Sequence, residues 1–446
     1  MGDFFGTDGV RGVANDSLTP ELAFSLGRSG GYVLHNREDI DLEDARIILA
    51  RDTRLSGDML FGALLAGLNS VGVDVIDLGI APTPAVAHSV RKTSALGGVM
   101  ISASHNQVAD NGIKFFNSRG FKLSDATEEE IEEKLGIYLP RAENSQIGRL
   151  KYEEDLLEEY LDSLEAAAGR ELNDMKVVLD CAYGAAHELG PRLFRRLGVK
   201  TVSINDEPRG DLINVRCGST DLSCVREYVQ DEEADLGIAL DGDADRCILI
   251  DEEGEEIDGD HIMYITASAM IEEGSLRDNS VVTTRYSNLG LREALNELGG
   301  ELEFAPNGDK YVLERMRDEN LNLGGEKSGH IIFFDHNTSG DGLLTALKVM
   351  SVMARRKASL SELSAGFEPW PQLLANVEVE RKEEWEDNDR IQNAIAEAEE
   401  DMDGGRVFVR ASGTEPVIRV MLEDRDRSKL ERWRDRLTDI IAEELS

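Results

Sequence analysis

Residues 236–250 read LGIALDGDADRCILI, two short apolar runs joined by a loop that carries three aspartates. Apolar runs of this length on either side of a turn-rich stretch read as strand, loop, strand. Asp241, Asp243 and Asp245 stand at alternate positions, which puts their hard carboxylate oxygens on one side of a tight loop. Mg²⁺ favours such donors, with water or substrate phosphate filling the remaining octahedral positions. An EF-hand would need glycine where Arg246 stands, and the CILI run follows as a strand, so that reading is rejected. A solvated acidic turn is disfavoured because apolar strands flank the loop closely on both sides.

Working outward, comparable runs recur at 46–50 (RIILA), 73–78 (VDVIDL), 98–102 (GVMIS), 176–180 (KVVLD) and 200–204 (KTVSI). They alternate with helical stretches such as 58–72 and 188–197, and such alternation predicts an α/β fold with mixed or mainly parallel sheets. The alternation restarts three times. Acidic, helix-rich segments lie near 140–170, another break follows 251–258, and FEPWP at 367–371 precedes a last unit ending in a helix over 428–444. Four domains are expected, at 1–152, 153–252, 253–367 and 368–446, in keeping with usual domain sizes. No short-period repeat, low-complexity tract or coiled coil is visible.

The 446 residues include 88 acidic against 48 basic side chains, a formal net charge of −40, and lysine (13) is scarce beside arginine (35). The charge argues against a nucleic-acid partner, since phosphate backbones demand a basic surface. The acidity is spread along the chain, which suits a solvated surface that resists association, as in a high-salt cytoplasm. No run approaches the ~20 apolar residues that span a bilayer. The N-terminus lacks the basic and apolar regions of an export signal, and four cysteines without a CxxC pair read as reduced thiols, so a cytoplasmic location is expected.

Three further segments carry chemistry. At 97–116, GGVMISASHNQVADNGIKFF, a strand ends in a small-residue loop presenting Ser102, Ser104, His105 and Asn106. A serine so placed is expected to be open to ligand, and His105 or Lys114 could activate it; a polar turn capped by serines explains the segment equally well. At 324–334, GGEKSGHIIFF, Glu326, Ser328 and His330 share one face if the segment is extended, and that face suits sugar hydroxyls. A surface hairpin accounts for it nearly as well. At 408–420, FVRASGTEPVIRV, Arg410 and Arg419 flank the Ser412-Gly413-Thr414 loop, as in a site for a phosphate dianion, with an ordinary polar-tipped hairpin as the alternative. Together the four motifs describe phosphoryl transfer on a phosphorylated sugar.

These segments, with FGTDGVRGVAN at 5–15, SNLGL at 287–291 and GDKYVLERM at 308–316, resemble the α-D-phosphohexomutase family over essentially the whole chain, and within it the branch acting on phosphoglucosamine. The resemblance implies three similar α/β domains and a smaller C-terminal α+β domain around a central cleft. It implies a phosphoserine at Ser104, with Mg²⁺ held by Asp241, Asp243, Asp245 and the Ser104 phosphate. Arg11, Lys114 and Arg246 would neutralise charge or assist proton transfer, and His330 would act as acid or base. His105, Glu326 and Ser328 would meet the sugar, and Arg410, Ser412, Gly413, Thr414 and Arg419 the phosphate not being transferred. The activity implied is interconversion of glucosamine-6-phosphate and glucosamine-1-phosphate through a sugar 1,6-bisphosphate. Phosphomannomutase or phosphoglucomutase activity is the alternative. A phosphorylated hexose or hexosamine is the expected partner; no nucleic acid or membrane is, and a homodimer is left open. Two positions depart from the family pattern, Gln107 and Ala411, where proline is usual; both could loosen their loops.

Overall fold

The computed structural model describes residues 4–6, 8–38, 45–153, 155–169, 172–402, 404–412 and 416–446. The chain divides into two compact units. Met1–Tyr286 and Leu298–Gly366 form the first, and Ser287–Glu297 and Phe367–Ser446 the second.

Three sheets of the first unit share one plan. In the first, Arg46–Arg51 lies between Asp74–Ile80 and Gly97–Ile101, parallel to both, and Asp110–Asn117 returns antiparallel beside Gly97–Ile101. In the second, Lys176–Asp180 lies between Lys200–Ile204 and Leu236–Leu240, with Cys247–Asp251 returning antiparallel. In the third, Ser280–Thr284 lies between Glu301–Ala305 and Leu323–Gly325, with Ile331–Phe333 returning. The repeat is one of topology; nothing in the sequence repeats with it. Gly97–Ile101 and Leu236–Leu240 are buried throughout, which is why they read as unbroken apolar runs and not as alternating ones.

The first sheet is extended at one edge by Gly9–Val13, paired antiparallel with Asp110–Asn117 so that Arg11 stands opposite Gly112. Its core gathers Ile47, Leu49, Val99 and Ile101 from the sheet and Leu60, Leu64 and Leu68 from the helix Gly57–Ser70. Each such side chain contributes roughly 1.5–3 kcal/mol on burial. Helix Gly259–Glu273 starts where the Asp258 carboxylate accepts the N–H groups of Asp260 and His261, and stops at Gly274, whose φ is +66°. Helix Gly342–Arg356 starts at Asp341, which accepts the Leu344 N–H at 3.0 Å.

In the second unit, Val417–Glu423 pairs antiparallel with Gln372–Glu378 and Arg406–Ala411. Ile418 and Val420 pack there with Trp433, Leu437 and Ile441 of the helix Arg427–Leu445. The helix Leu289–Glu297, expected within the segment 253–367, belongs to this unit. Leu289 donates its N–H to the buried Glu423 carboxylate at 2.7 Å, and Asn288 donates to the Trp370 carbonyl at 2.9 Å. Among the described residues no helix is long and apolar enough to cross a membrane. Cys181, Cys217, Cys224 and Cys247 are free thiols.

Candidate active site

In each of the three similar sheets, the loop between the third strand and the returning fourth carries one of the sequence motifs. These are the Ser104 loop, the aspartate loop 241–246 and the turn 326–330. The first two loops touch through backbone: a Cβ on Gly242 would lie 2.6 Å from the Ser104 carbonyl oxygen. Ser104 and Ala244 both sit in the left-handed region, with φ of +52° and +55°, a strain that persists only where surroundings impose it. For Ser104 the surroundings are visible. The buried Arg54 guanidinium donates to the carbonyls of Ser104, Asn106, Gln107 and Asp110 at 3.1, 2.9, 2.5 and 2.9 Å. It also pairs with Asp52 at 3.0 Å, and Asp52 accepts from Ser102 Oγ at 2.6 Å. Asn214 donates to the Ser104 carbonyl at 2.8 Å. With Arg54 gripping its carbonyl, the loop is held at Gln107 without the proline that the resemblance leads one to expect.

Ser104 Oγ donates to Asp241 Oδ2 at 2.5 Å and lies 3.3 Å from His105 Nδ1. The Ser104 side chain was expected to be open to ligand; it is only 1% exposed, because its hydroxyl is turned onto the aspartate loop. The polar contacts show that it is enclosed by charge and not by an apolar core.

Asp241, Asp243 and Asp245 each present a carboxylate oxygen within 4.8 Å of the others, all buried. Such a concentration of like charge is costly unless offset by cations. Lys114 Nζ supplies one offset, 2.7 Å from Asp243, 3.6 Å from Asp245 and 3.1 Å from Asp8. The offset is incomplete, since Asp243 Oδ1 is buried without a hydrogen-bond partner. Burial, with the charges of Asp245 and Asp243, pushes the Asp241 carboxyl well above the usual range. Burial acts the same way on Asp245, but Lys114 and His330 overcome it and hold that carboxyl low. Three buried carboxylates, two of them with an oxygen (Asp243 Oδ1 and Asp245 Oδ1) that has no hydrogen-bond partner, fit a divalent cation.

Arg246 donates its backbone N–H to Asp241 at 3.2 Å and holds its guanidinium 3.9 Å from Asp245. Arg11 donates to Asn106 Oδ1 at 3.0 Å and pairs with Asp8. His330 sits between Asp245, 3.5 Å from Nδ1, and Asp309, 3.3 Å from Nε2. Burial opposes a charged His330, and the two carboxylates outweigh it, raising its pKa. His105 goes the other way: burial, then the nearby Arg246 and Arg11, lower it to about 4.

Of the two readings of residues 324–334, the structure takes the hairpin. Glu326, Ser328 and His330 do not share the face of an extended segment. They occupy the turn between Leu323–Gly325 and Ile331–Phe333, which pair antiparallel. His330 is buried, Glu326 is half-buried and Ser328 is exposed. Burial and the Asp309 charge raise the Glu326 carboxyl.

Four residues were passed over by the sequence reading: Asp8, Lys122, Asp309 and Arg54. Lys122 bridges Asp8 and Asp309, and so ties Lys114 to His330 through carboxylates. Asp8 and Asp309 lie inside recognised motifs and could have been singled out. Lys122 and Arg54 carry no sequence signal.

In the second unit, Arg410 and Arg419 stand directly opposite each other across the hairpin, like charges on one face that an anion would offset. Ser412 donates its N–H to the Val417 carbonyl at 2.9 Å and accepts from Lys382 Nζ at 2.8 Å. Gly413 and Thr414 lie outside the described residues.

Four models of one family match the chain in order. They are described as phosphoglucomutase/phosphomannomutase alpha/beta/alpha domain I at residues 2–137, domain II at 158–254, domain III at 258–369, and the C-terminal domain at 374–440. The chain belongs to the phosphoglucomutase/phosphomannomutase family. Curated relatives in this mutase family include a phosphoglucosamine mutase of Brevibacillus brevis, 48% identical over 451 residues and covering all of both chains. Another, of Syntrophomonas wolfei, is 49% identical over 449 residues, 99% of this chain and 98% of that one. A phosphoglucomutase/phosphomannomutase family protein from Burkholderia thailandensis shares the fold at a TM-score of 0.81 and 24% identity, covering 98% of this chain and 96% of its own. The N-acetylphosphoglucosamine mutase of Aspergillus fumigatus, solved with GlcNAc-6P and magnesium, has a TM-score of 0.71 at 21% identity, covering 99% and 96%. The mutase family uses a metal ion, and the aspartate triad is where this chain could bind one.

Proposed function

We infer that the protein interconverts glucosamine-6-phosphate and glucosamine-1-phosphate through a phosphorylated Ser104. One observation carries the reading: the Ser104 hydroxyl lies 2.5 Å from Asp241, within a triad of buried carboxylates. Near-full-length relatives that bear the name phosphoglucosamine mutase support the choice of sugar.

Asp241, Asp243, Asp245 and the phosphate on Ser104 would hold Mg²⁺, which when bound would neutralise charge on the transferred group. The chain's own residues do the rest. Phospho-Ser104 gives its phosphoryl group to a sugar hydroxyl: the Oγ–P bond breaks, a sugar O–P bond forms, and the hydroxyl proton ends on the departing Oγ, which is again the hydroxyl 2.5 Å from Asp241. The 1,6-bisphosphate returns its other phosphate to Ser104, and the Oγ proton passes to the sugar oxygen left behind, with His330 the acid/base candidate beside this path. Lys114, Arg11 and Arg246 supply positive charge around the transfer. Glu326, Ser328 and His105 contact the sugar. Arg410, Ser412, Gly413, Thr414 and Arg419 bind the phosphate that is not moving. Each of the four segments 1–152, 153–252, 253–367 and 368–446 carries one of these motifs, and the free thiols suit a cytoplasmic setting.

Phosphomannomutase or phosphoglucomutase activity is the second reading, favoured by the description of the family itself. Catalytic efficiencies on glucosamine-6-phosphate, mannose-1-phosphate and glucose-1-phosphate decide between them, with the first expected to be highest. A preference for mannose-1-phosphate overturns the assignment, and phosphate release keeping pace with sugar consumption makes the protein a phosphatase.

A further inference from the structure

Away from Ser104, the first unit holds a cavity of about 380 Å³ between the turn after Asp110–Asn117 and the helix Asp309–Asp318. Its volume is that of a small-molecule site. Its lining is rich in cations. Arg37, Arg119, Lys122, Lys310 and Arg317 line it against one acid, Glu314, in a chain with 88 acidic and 48 basic residues. Three of these cations are occupied: Arg37 pairs with Glu130, Lys310 with Asp125 and Glu128, and Lys122 with Asp8 and Asp309.

Arg119 and Arg317 are different. Among the described residues neither has a carboxylate partner, and both guanidinium groups lie over the Phe121 ring, 5.6 and 4.5 Å from its centroid. Two unpaired guanidinium groups brought to one ring repel each other. A cation–π contact at an exposed site returns little against that repulsion. With the neighbouring carboxylates paired to other cations or set apart, these two planar donor forks are left without a carboxylate, and such forks match phosphate oxygens. Phe121 and Leu313 give the same cavity an apolar wall.

We propose that this cavity binds a small phosphomonoester, separately from the Ser104 centre, and that its occupancy alters turnover through Lys122. The path is short. Lys122 lines the cavity and holds Asp8 and Asp309; Asp8 in turn lies 3.1 Å from Lys114, and Asp309 lies 3.3 Å from His330. An anion beside Lys122 competes with those carboxylates for its charge, which changes kcat more than KM.

Inorganic phosphate is the probe, titrated calorimetrically into the full chain without sugar, so that a wrong choice of sugar leaves the test intact. The proposal expects the double variant Arg119→Gln/Arg317→Gln to bind one phosphate fewer than the wild type, and Arg119→Lys/Arg317→Lys to keep part of that binding. At saturating substrate, phosphate should shift the wild-type kcat about twofold or more, and the Gln variant, with its basal kcat retained, should lose the shift. Equal stoichiometry in the two proteins, or an identical kcat response to phosphate, overturns the proposal. So does a collapse of basal turnover in a Gln variant whose circular dichroism is unchanged, because the arginines would then belong to the reaction path.

Discussion

Ser104 is held in a conformation that a serine seldom adopts, and the cost is met by contacts that aim its hydroxyl. Its φ is +52°, its carbonyl is gripped by Arg54 and Asn214, and its Oγ meets Asp241. Ser104→Ala keeps the first two contacts and removes the third, so the fold should survive. Phosphoryl incorporation, read by intact-mass spectrometry, should vanish, and activity should fall by about 10³-fold or more. Full activity in that variant would remove the proposed chemistry. Asp243 has two tasks. One oxygen accepts from Thr83 Oγ1 at 2.6 Å and Lys114 Nζ at 2.7 Å, while the other is left for a cation. Asp243→Asn should raise the Mg²⁺ concentration for half-maximal activity about tenfold or more. An unchanged Mg²⁺ titration would move the metal elsewhere.

At the scale of elements, one hairpin loop used three times explains the site, and one connecting segment positions its third part. Residues 336–342 run from the third sheet to the helix Gly342–Arg356. Gly340 donates its N–H to His330 Nε2 at 3.1 Å, and Gly342 donates to the Ala244 carbonyl at 3.0 Å. A Cβ on Gly340 would lie 2.5 Å from His330 Nε2, so the imidazole packs flat against a residue that must have no side chain. Gly340→Ala should displace the ring and cut kcat about tenfold or more. The stability cost should be the about 1–3 kcal/mol typical of overpacking, read from the urea midpoint. A normal kcat would show that His330 is not held by this contact.

For the whole molecule, charge governs stability. With a net charge of −40, self-repulsion opposes compaction and salt screens it. The Tm is therefore expected to rise between low salt and about 1 M NaCl; a fall would count against a surface adapted to high salt. Acid acts through buried histidine. His88 is 5% exposed and packs edge-on against Tyr160 at 5.7 Å. Burial, then Arg91 and Lys92, lower its pKa from 6.5 to about 4. Because the folded pKa is depressed, the stability it contributes is present above pH 6.5 and is lost as pH falls towards 4. His88→Gln should lose less stability than the wild type between pH 7 and 4.5, by on the order of 2 kcal/mol. Equal losses in urea titrations would show that His88 does not carry the effect.

The sequence by itself determined the strands and the chemistry of the loops. An all-buried strand must be apolar along its length, and a cation site must be built from hard oxygens, so both leave local patterns such as LGIALDGDADR. Tertiary structure decided which loops meet. Arg54 and Lys122 are ordinary charged residues in the sequence, and only packing makes one the clamp on four carbonyls and the other the link from Lys114 to His330. It also decided between strand and hairpin for Glu326 to His330, in favour of the hairpin, and placed the helix Leu289–Glu297 with the C-terminal unit. Hydrogen bonds and ion pairs between residues far apart in sequence depend on where the backbone has been carried, and no local pattern encodes that.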